Sequence, residues 1–267
     1  MYTVLMNDYG NNDTLTNEHG FSLLITDKEK NILFDTGLSQ KTLDNAGQLN
    51  VDIQNIDAIV ISHGHYDHIG GLKFFMDSIN KDIPVFASDK IFIEKYKYID
   101  KTYSYIGYPK ILISAAYKKK FILFPKTYKI TDRLILAHIK KDTSYKEKYF
   151  FIKQKEYIPD YFNDEIILII NDSDGISIIS GCSHSKLNNI INTAIEITGK
   201  TTIKSLIGGF HLSKVSDKVI IKTAEDLKNY TIHKIAVCHC SGKNAYEIFK
   251  QKLPGTEIFW CNTGDTF

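Results

Sequence analysis

The chain has 267 residues, with 33 basic against 31 acidic side chains and a formal net charge of +2. That balance leaves no cationic surplus to displace counterions from phosphates, which argues against a general nucleic-acid binder. Hydrophobic residues at 43% and charged residues at 24% are the mix of a folded globular chain, and no apolar run reaches the ~20 residues that span a bilayer. The opening residues Met1 to Leu5 carry no basic start followed by an apolar stretch. A cytoplasmic enzyme or binding protein without a membrane partner is therefore expected, as a single domain over residues 1–267.

In chain order, Phe21 to Thr26 and Ile32 to Asp35 read as strands separated by a polar turn. Ser39 to Leu49 has the period of a helix, and Ile56 to Ser62 is a continuous apolar run of buried-strand type. A helix is expected to begin near His68 and run through Leu72, Phe75 and Ile79. Val85 and Phe86 mark a brief strand, and Ser88 to Tyr96 reads as a further helix. Residues 97–163 differ in texture, being dense in Tyr and Lys, and strand-like only at Ile111 to Ile113, Phe121 to Phe124 and Leu134 to Ile139. They are expected to form an insertion that acts as a lid or as the arm of a homodimer. Regular order returns with strands Ile166 to Ile170 and Ile176 to Ser180, then a helix over Lys186 to Thr198. Strand Ile203 to Ile207, helix Asp217 to Lys228, strand Lys234 to Val237, helix Asn244 to Lys252 and strand Glu257 to Trp260 complete the chain. Paired strands followed by strand–helix units, twice over, imply an α/β fold with sheets held between helix layers.

The chemistry lies in the placement of nine histidines. His63, His65 and His68 crowd together with Asp67 in Ser62-His63-Gly64-His65-Tyr66-Asp67-His68, where an apolar strand ends. Residues two apart in extended chain share a face, so His63, His65 and Asp67 can converge. Imidazole and carboxylate together suit Zn(II), with Fe or Mn as alternatives. His184, His211 and His239 each follow another strand, whereas His138 and His233 lack that context and read as structural. The cysteines Cys182, Cys238, Cys240 and Cys261 have no disulfide-framework spacing and read as core thiols or metal ligands.

The segment His63-Gly64-His65-Tyr66-Asp67-His68 resembles the H-x-H-x-D-H signature of the metallo-β-lactamase superfamily, and Asp35-Thr36-Gly37 resembles the D-T-G element that precedes it. Glu18-His19-Gly20, Asp164-Glu165, Gly181-Cys182-Ser183-His184, Gly208-Gly209-Phe210-His211 and Cys238-His239-Cys240 resemble one branch, that of 7,8-dihydropterin-6-methyl-4-(β-D-ribofuranosyl)aminobenzene-5′-phosphate synthase and its relatives. The resemblance implies a four-layer αβ/βα sandwich binding one or two transition-metal ions. It implies His63 and His65 as ligands of a first metal, and Asp67, His68 and His239 as ligands of a second. The chain departs from the pattern at the fourth motif, where many members place a bridging Asp and this chain has Cys182. No convincing third-motif His stands between residues 72 and 175, where His138 reads as structural, so His184 is inferred to take the vacant ligand position. Cys182 is a soft ligand or packing, and Asp35 is expected to orient a ligand imidazole from behind.

Asp67 and His211 are the candidate catalytic residues, and His19 and His211 the candidate contacts to a small-molecule substrate. The resulting expectation is a metal-dependent hydrolase of a small phosphorylated or ester substrate acting through activated water. The alternative is a transferase that joins a dihydropterin to an aminobenzene ribosyl phosphate.

Overall fold

The structure, a computed structural model, describes residues 1–140 and 148–267. The first half builds β1 (Tyr2–Met6), β2 (Ser22–Thr26), β3 (Asn31–Phe34), α1 (Lys41–Gln48), β4 (Ala58–Val60), α2 (Tyr66–Ile69), α3 (Leu72–Ser78) and β5 (Val85–Ser88). The middle adds β6 (Lys95–Ile99), β7 (Thr102–Tyr105), α4 (Ala115–Lys118), β8 (Phe121–Phe124), β9 (Thr127–Lys129), β10 (Leu134–His138), β11 (Phe150–Lys153) and β12 (Tyr157–Pro159). The last third builds β13 (Ile166–Asp172), β14 (Gly175–Ser180), α5 (Leu187–Thr198), β15 (Thr202–Gly209), α6 (Asp217–Leu227), β16 (Thr231–Cys238), α7 (Lys243–Lys252) and β17 (Glu257–Trp260).

Two sheets carry the fold, in the orders β1-β2-β3-β4-β5-β8 and β17-β16-β15-β14-β13-β10-β9. Strand alternation sends Leu23, Ile25, Ile32 and Phe34 from the first sheet onto Leu134, Leu136, Ile166 and Leu168 from the second. The opposite face of the first sheet, with Leu33, Ile59 and Ile61, packs on Leu72, Phe75 and Met76 of α3. On the far side of the second sheet, Ile167, Ile169, Ile178 and Leu206 meet α5, α6 and α7 through Ile190, Ile191, Ile220, Ala224 and Phe249. Both faces of β13 and β14 are thus covered, which is why they read as unbroken apolar runs. The layers run helix, sheet, sheet, helix, as expected.

Three local expectations are corrected. Ser88 to Tyr96 is not a helix: β6 begins at Lys95 and pairs with β7 and β11, because Lys95 and Lys97 must share one inward face while Tyr96 and Tyr98 take the other. The helix expected from His68 is split at Gly70-Gly71, where the Gly71 N–H donates to Gly37 O at 3.0 Å instead of continuing the helix. Side chains at Gly70 and Gly71 would strike the carbonyls of Leu38 and Thr36. Ile111 to Ile113 belong to a 3-10 turn, Lys110–Ile113, rather than a strand.

The segment 97–163 divides. Phe121–Phe124 joins the first sheet, and Thr127–Lys129 and Leu134–His138 join the second. The Tyr-rich remainder forms a third sheet of order β12-β11-β6-β7. Phe150 and Phe162 hold it against Ile106 and Tyr66 in a small apolar cluster of its own.

Candidate metal centre

The candidate residues gather because they leave the carboxyl ends of neighbouring strands. Asp35 follows β3, His63 follows β4, Cys182 follows β14, His211 follows β15 and His239 follows β16. Five residues of these loops, Asp35, Ser183, Lys186, His211 and His239, hold positive φ angles between 46° and 70° without being glycine. Such backbone costs on the order of 1 kcal/mol or more per residue and persists where surrounding contacts enforce it. Gly181 is required by close approach, since a side chain there would run into the Ser62 hydroxyl and the Asp35 carboxylate.

Asp35 organises the floor of the site. It is fully buried, accepts the Ser62 N–H and hydroxyl at 2.7 Å each, and accepts from His68 Nδ1 at 2.7 Å. The Ser62 hydroxyl also lies 2.9 Å from His63 Nδ1. With Nδ1 of His68 engaged from behind, its Nε2 points inward, 3.2 Å from Cys182 Sγ. His63 Nε2 lies 3.0 Å from His65 Nδ1. The ring of His184 stands 5.1 Å from both His63 and His65, and its centroid is 4.4 Å from that of His211.

Two ligand groups result. His63, Cys182 and His184 place a donor atom each within 4.8 Å of one another, and so do His68, Cys182 and His239. Asp67 joins the second group, with Oδ2 at 3.9 Å from His68 Nε2 and 3.4 Å from His239 Nε2. Cys182 is common to both. A third group, Cys182, His211 and Cys240, adjoins them, with the two sulfurs 3.2 Å apart, and a fourth, Asp8, His19 and His239, shares His239 with the second.

The donor set fits a transition metal. His65 Nε2 and both ring nitrogens of His184 are buried without a hydrogen-bond partner among the described residues. Buried polar nitrogens are rarely left so unless something coordinates them. Burial pushes His65 down to about 3 and holds His63 and His184 well below the usual imidazole range. They are therefore neutral, the form that binds a metal. Burial works against the Asp67 carboxylate, yet His68, His19 and His239 together keep it ionised well below its usual range.

Around this floor a cavity of about 470 Å³ opens, lined among others by His19, Asp67, Cys182, His184, His211 and Lys97. His19 is half exposed and bridges two acids, with Nδ1 2.9 Å from Asp8 Oδ2 and Nε2 3.1 Å from Asp67 Oδ2. Those two bonds push it up to about 9. The third sheet contributes Lys97 and Phe150 to the lining, with Phe150 5.7 Å from His211, and Phe162, which follows that sheet, stacks on His184 at 3.9 Å and 6°.

The candidate site residues His19, Asp35, His63, His65, Asp67, His68, Cys182, His184, His211 and His239 fall in this region, whereas Cys238 and Cys261 are buried in the core between the sheets, His138 bonds the Phe124 carbonyl and His233 lies beside Lys234 and Glu257. Sequence reasoning missed Asp8, which accepts from both His239 Nδ1 at 2.6 Å and His19. It also missed Lys95, fully buried between Asp160 at 2.6 Å and Asp164 at 2.8 Å. Asp164 in turn accepts the Gly64 N–H at 2.7 Å, and Glu165 the N–H groups of His184 and Ser185 at 2.8 Å. The acidic pair Asp164-Glu165 is thus a clamp on two ligand loops, a role that no local spacing announces.

Residues 15–139 match the family model described as the metallo-beta-lactamase superfamily. The crystal structure of Tm1679, a metal-dependent hydrolase of the beta-lactamase superfamily, superposes with a TM-score of 0.83 at 30% identity, covering 99% of this chain and 96% of that one. The chain belongs to the metallo-beta-lactamase superfamily. Within it, the 7,8-dihydropterin-6-methyl-4-(beta-D-ribofuranosyl)-aminobenzene-5'-phosphate synthase of Methanocaldococcus jannaschii is 30% identical over 95% of this chain and 91% of its own length. The protein MJ0448 of the same organism is 33% identical over 85% of this chain and 86% of its own. Human tRNase Z, short form, shares the fold at a TM-score of 0.54 and 13% identity.

Proposed function

We propose that the chain is a metal-dependent hydrolase of a small phosphorylated or ester substrate. The observation that carries this reading is the position of Cys182, whose sulfur belongs to both buried ligand groups at the floor of an open cavity. His63, His65, His184 and Cys182 would hold one ion, and Asp67, His68, His239 and Cys182 a second, with Zn the best match to this nitrogen and sulfur set. When bound, the metal supplies Lewis acidity toward a phosphoryl or carbonyl oxygen and makes water a nucleophile near neutral pH.

The chain's own groups do the rest. The Asp67 carboxylate, kept ionised by three imidazoles, orients the attacking water and accepts its proton. His19 carries a proton at neutral pH and gives its two N–H groups to Asp8 and Asp67, so it fixes the Asp67 carboxylate and meets the substrate at the cavity wall through its charge and exposed ring edge rather than through a spare donor. His211, beside His184 and under Phe150, contacts the substrate from the opposite side. Phe150 and Phe162 keep bulk water off the floor, which strengthens each of these interactions.

A second reading, alkylation of an aminobenzene ribosyl phosphate by a dihydropterin, is favoured by the 30% identity to the synthase along nearly the whole chain. Hydrolysis of bis(p-nitrophenyl) phosphate that is lost on His65→Ala supports the hydrolase. Inactivity on aryl phosphodiesters and esters, together with condensation of a dihydropterin diphosphate with the aminobenzene partner, would replace it with the transferase.

A further inference from the structure

Lys95 and Lys97 lie two residues apart on β6 and therefore share a face, the one turned toward the cavity. Their surroundings differ sharply. Lys95 is fully buried and neutralised by Asp160 and Asp164. Lys97 is half-buried, pairs across the sheet with Phe150, and rests its ammonium 5.6 Å from that ring's centre. Among the described residues it has no carboxylate partner within ion-pair distance.

Lys214, on the loop that follows His211, is exposed and borders the same cavity. Burial first, and then the charge of Lys214, lowers the affinity of Lys97 for its proton, with Asp67 on the cavity floor opposing them only in part. Both side chains line the one cavity, Lys97 from the third sheet and Lys214 from the loop after His211. The carboxylates that line the cavity are engaged elsewhere: Asp67 faces His19, His68 and His239, and Asp226 is bonded to Lys222 at 2.5 Å. The lining also includes the apolar side chains Ile106, Phe150, Leu187, Leu212 and Val215. The cavity thus combines candidate metal ligands, apolar side chains and ammonium groups in one lining.

We infer that Lys97 and Lys214 form an anchor for a phosphate monoester group of the substrate, separate from the bond that reacts at the floor. This rests on the hydrolase reading for what happens at the floor, but not for the anchor itself. Two ammonium groups on one cavity, neither in ion-pair contact with a carboxylate among the described residues, repel one another, and a dianion relieves that repulsion better than a single carboxylate. Lysine, a compact point charge on a flexible stem, suits a tetrahedral phosphate whose orientation need not be fixed. The substrate class is then a bolaform molecule, with a reactive ester or phosphodiester at one end, an apolar body and a terminal phosphate at the other.

The probes are α,ω-alkanediol bisphosphates of three to six carbons, compared with the alkyl monophosphate of equal length. Binding to the metal-loaded protein is measured by titration calorimetry at low and high salt, so that turnover plays no part. A monophosphate has one anion for the floor, whereas a bisphosphate of matching length reaches the floor and the two lysines together. The expected result is an affinity advantage of about tenfold or more for one chain length, consistent with one or two charge-assisted hydrogen bonds. That advantage shrinks in high salt and falls to about twofold in Lys97→Gln/Lys214→Gln. Single Lys214→Gln, on an exposed loop, gives an intermediate loss and guards against misfolding of the double variant. An advantage that survives in the double variant, or that is absent at every chain length in the unaltered protein, overturns the anchor. If aryl phosphodiester hydrolysis is absent while the bisphosphate advantage is present, the anchor stands and the hydrolase reading falls.

Discussion

The sulfur of Cys182 lies 3.2 Å from Nε2 of His68, at the end of a hydrogen-bonded line that begins at Asp35. Many members of the superfamily place a bridging carboxylate at this point of the chain. In the proposed site Cys182 would take that seat: it is buried and belongs to two of the candidate donor groups that include His63 or His68. Cys182→Ala should therefore loosen both metals at once, whereas Cys182→Asp should retain them with altered preference toward harder ions. Metal content after dialysis against a weak chelator measures this. Equal retention by the Ala variant would assign the thiol to packing.

Asp35 is expected to act through His68 and Ser62 rather than on substrate. Asp35→Asn keeps the shape and the tolerated positive φ of 57° but removes the charge that fixes His68. Loss of such a partner typically costs about 10- to 100-fold in metal affinity. Competition with a chromophoric chelator reads that loss directly, and an unchanged affinity would reduce Asp35 to a turn-capping residue.

The pH dependence of the metal-free protein follows from the buried histidines. His65 is pushed down to about 3 and His63 and His184 also lie below their ordinary value, so the folded state stays neutral where the unfolded chain takes up protons. Stability from these groups is present above about pH 6.5 and is lost as pH falls below it. His19 has the opposite sign: raised to about 9, it stabilises below its unfolded value and loses that contribution as pH rises through about 9. The urea midpoint of chelator-treated protein should be highest between those limits and decline toward about pH 5. A midpoint that holds or rises on acidification would show that these imidazoles are not buried neutral.

Lys95 ties the third sheet to the ligand loops, since Asp164 bonds both its ammonium and the Gly64 N–H. Lys95→Met would leave Asp160 and Asp164 buried without a counter-charge, at a cost of about 3 to 5 kcal/mol. Replacing all three as Lys95→Met/Asp160→Asn/Asp164→Asn should recover part of it. Thermal melts compare the two variants, and a Lys95→Met protein as stable as the parent would contradict the clamp.

Much of this arrangement was legible in the sequence, and the limits have physical causes. The strand–helix units after residue 163 are amphipathic or wholly apolar in regular periods, and the elements lie where those periods place them. Histidines at strand ends converge because neighbouring parallel strands end together. By contrast, Ser88 to Tyr96 carries apolar residues without a decisive period, and its strand is fixed by the hairpin partner β7 together with distant partners: β11 and two carboxylates more than sixty residues away. Asp8 was equally hidden, because its partners His19 and His239 meet it only after β1 and β16 are assembled in their sheets. Long-range pairing is what local pattern lacks.

The most direct measurement is a crystal structure of protein purified without chelator, with anomalous data collected on either side of the metal absorption edge. The expected result is a pair of metal peaks flanking the Cys182 sulfur, one among His63, His65 and His184 and the other among Asp67, His68 and His239. Protein that is consistently metal-free, or a lone peak that leaves Cys182 and His184 uncoordinated, would contradict it.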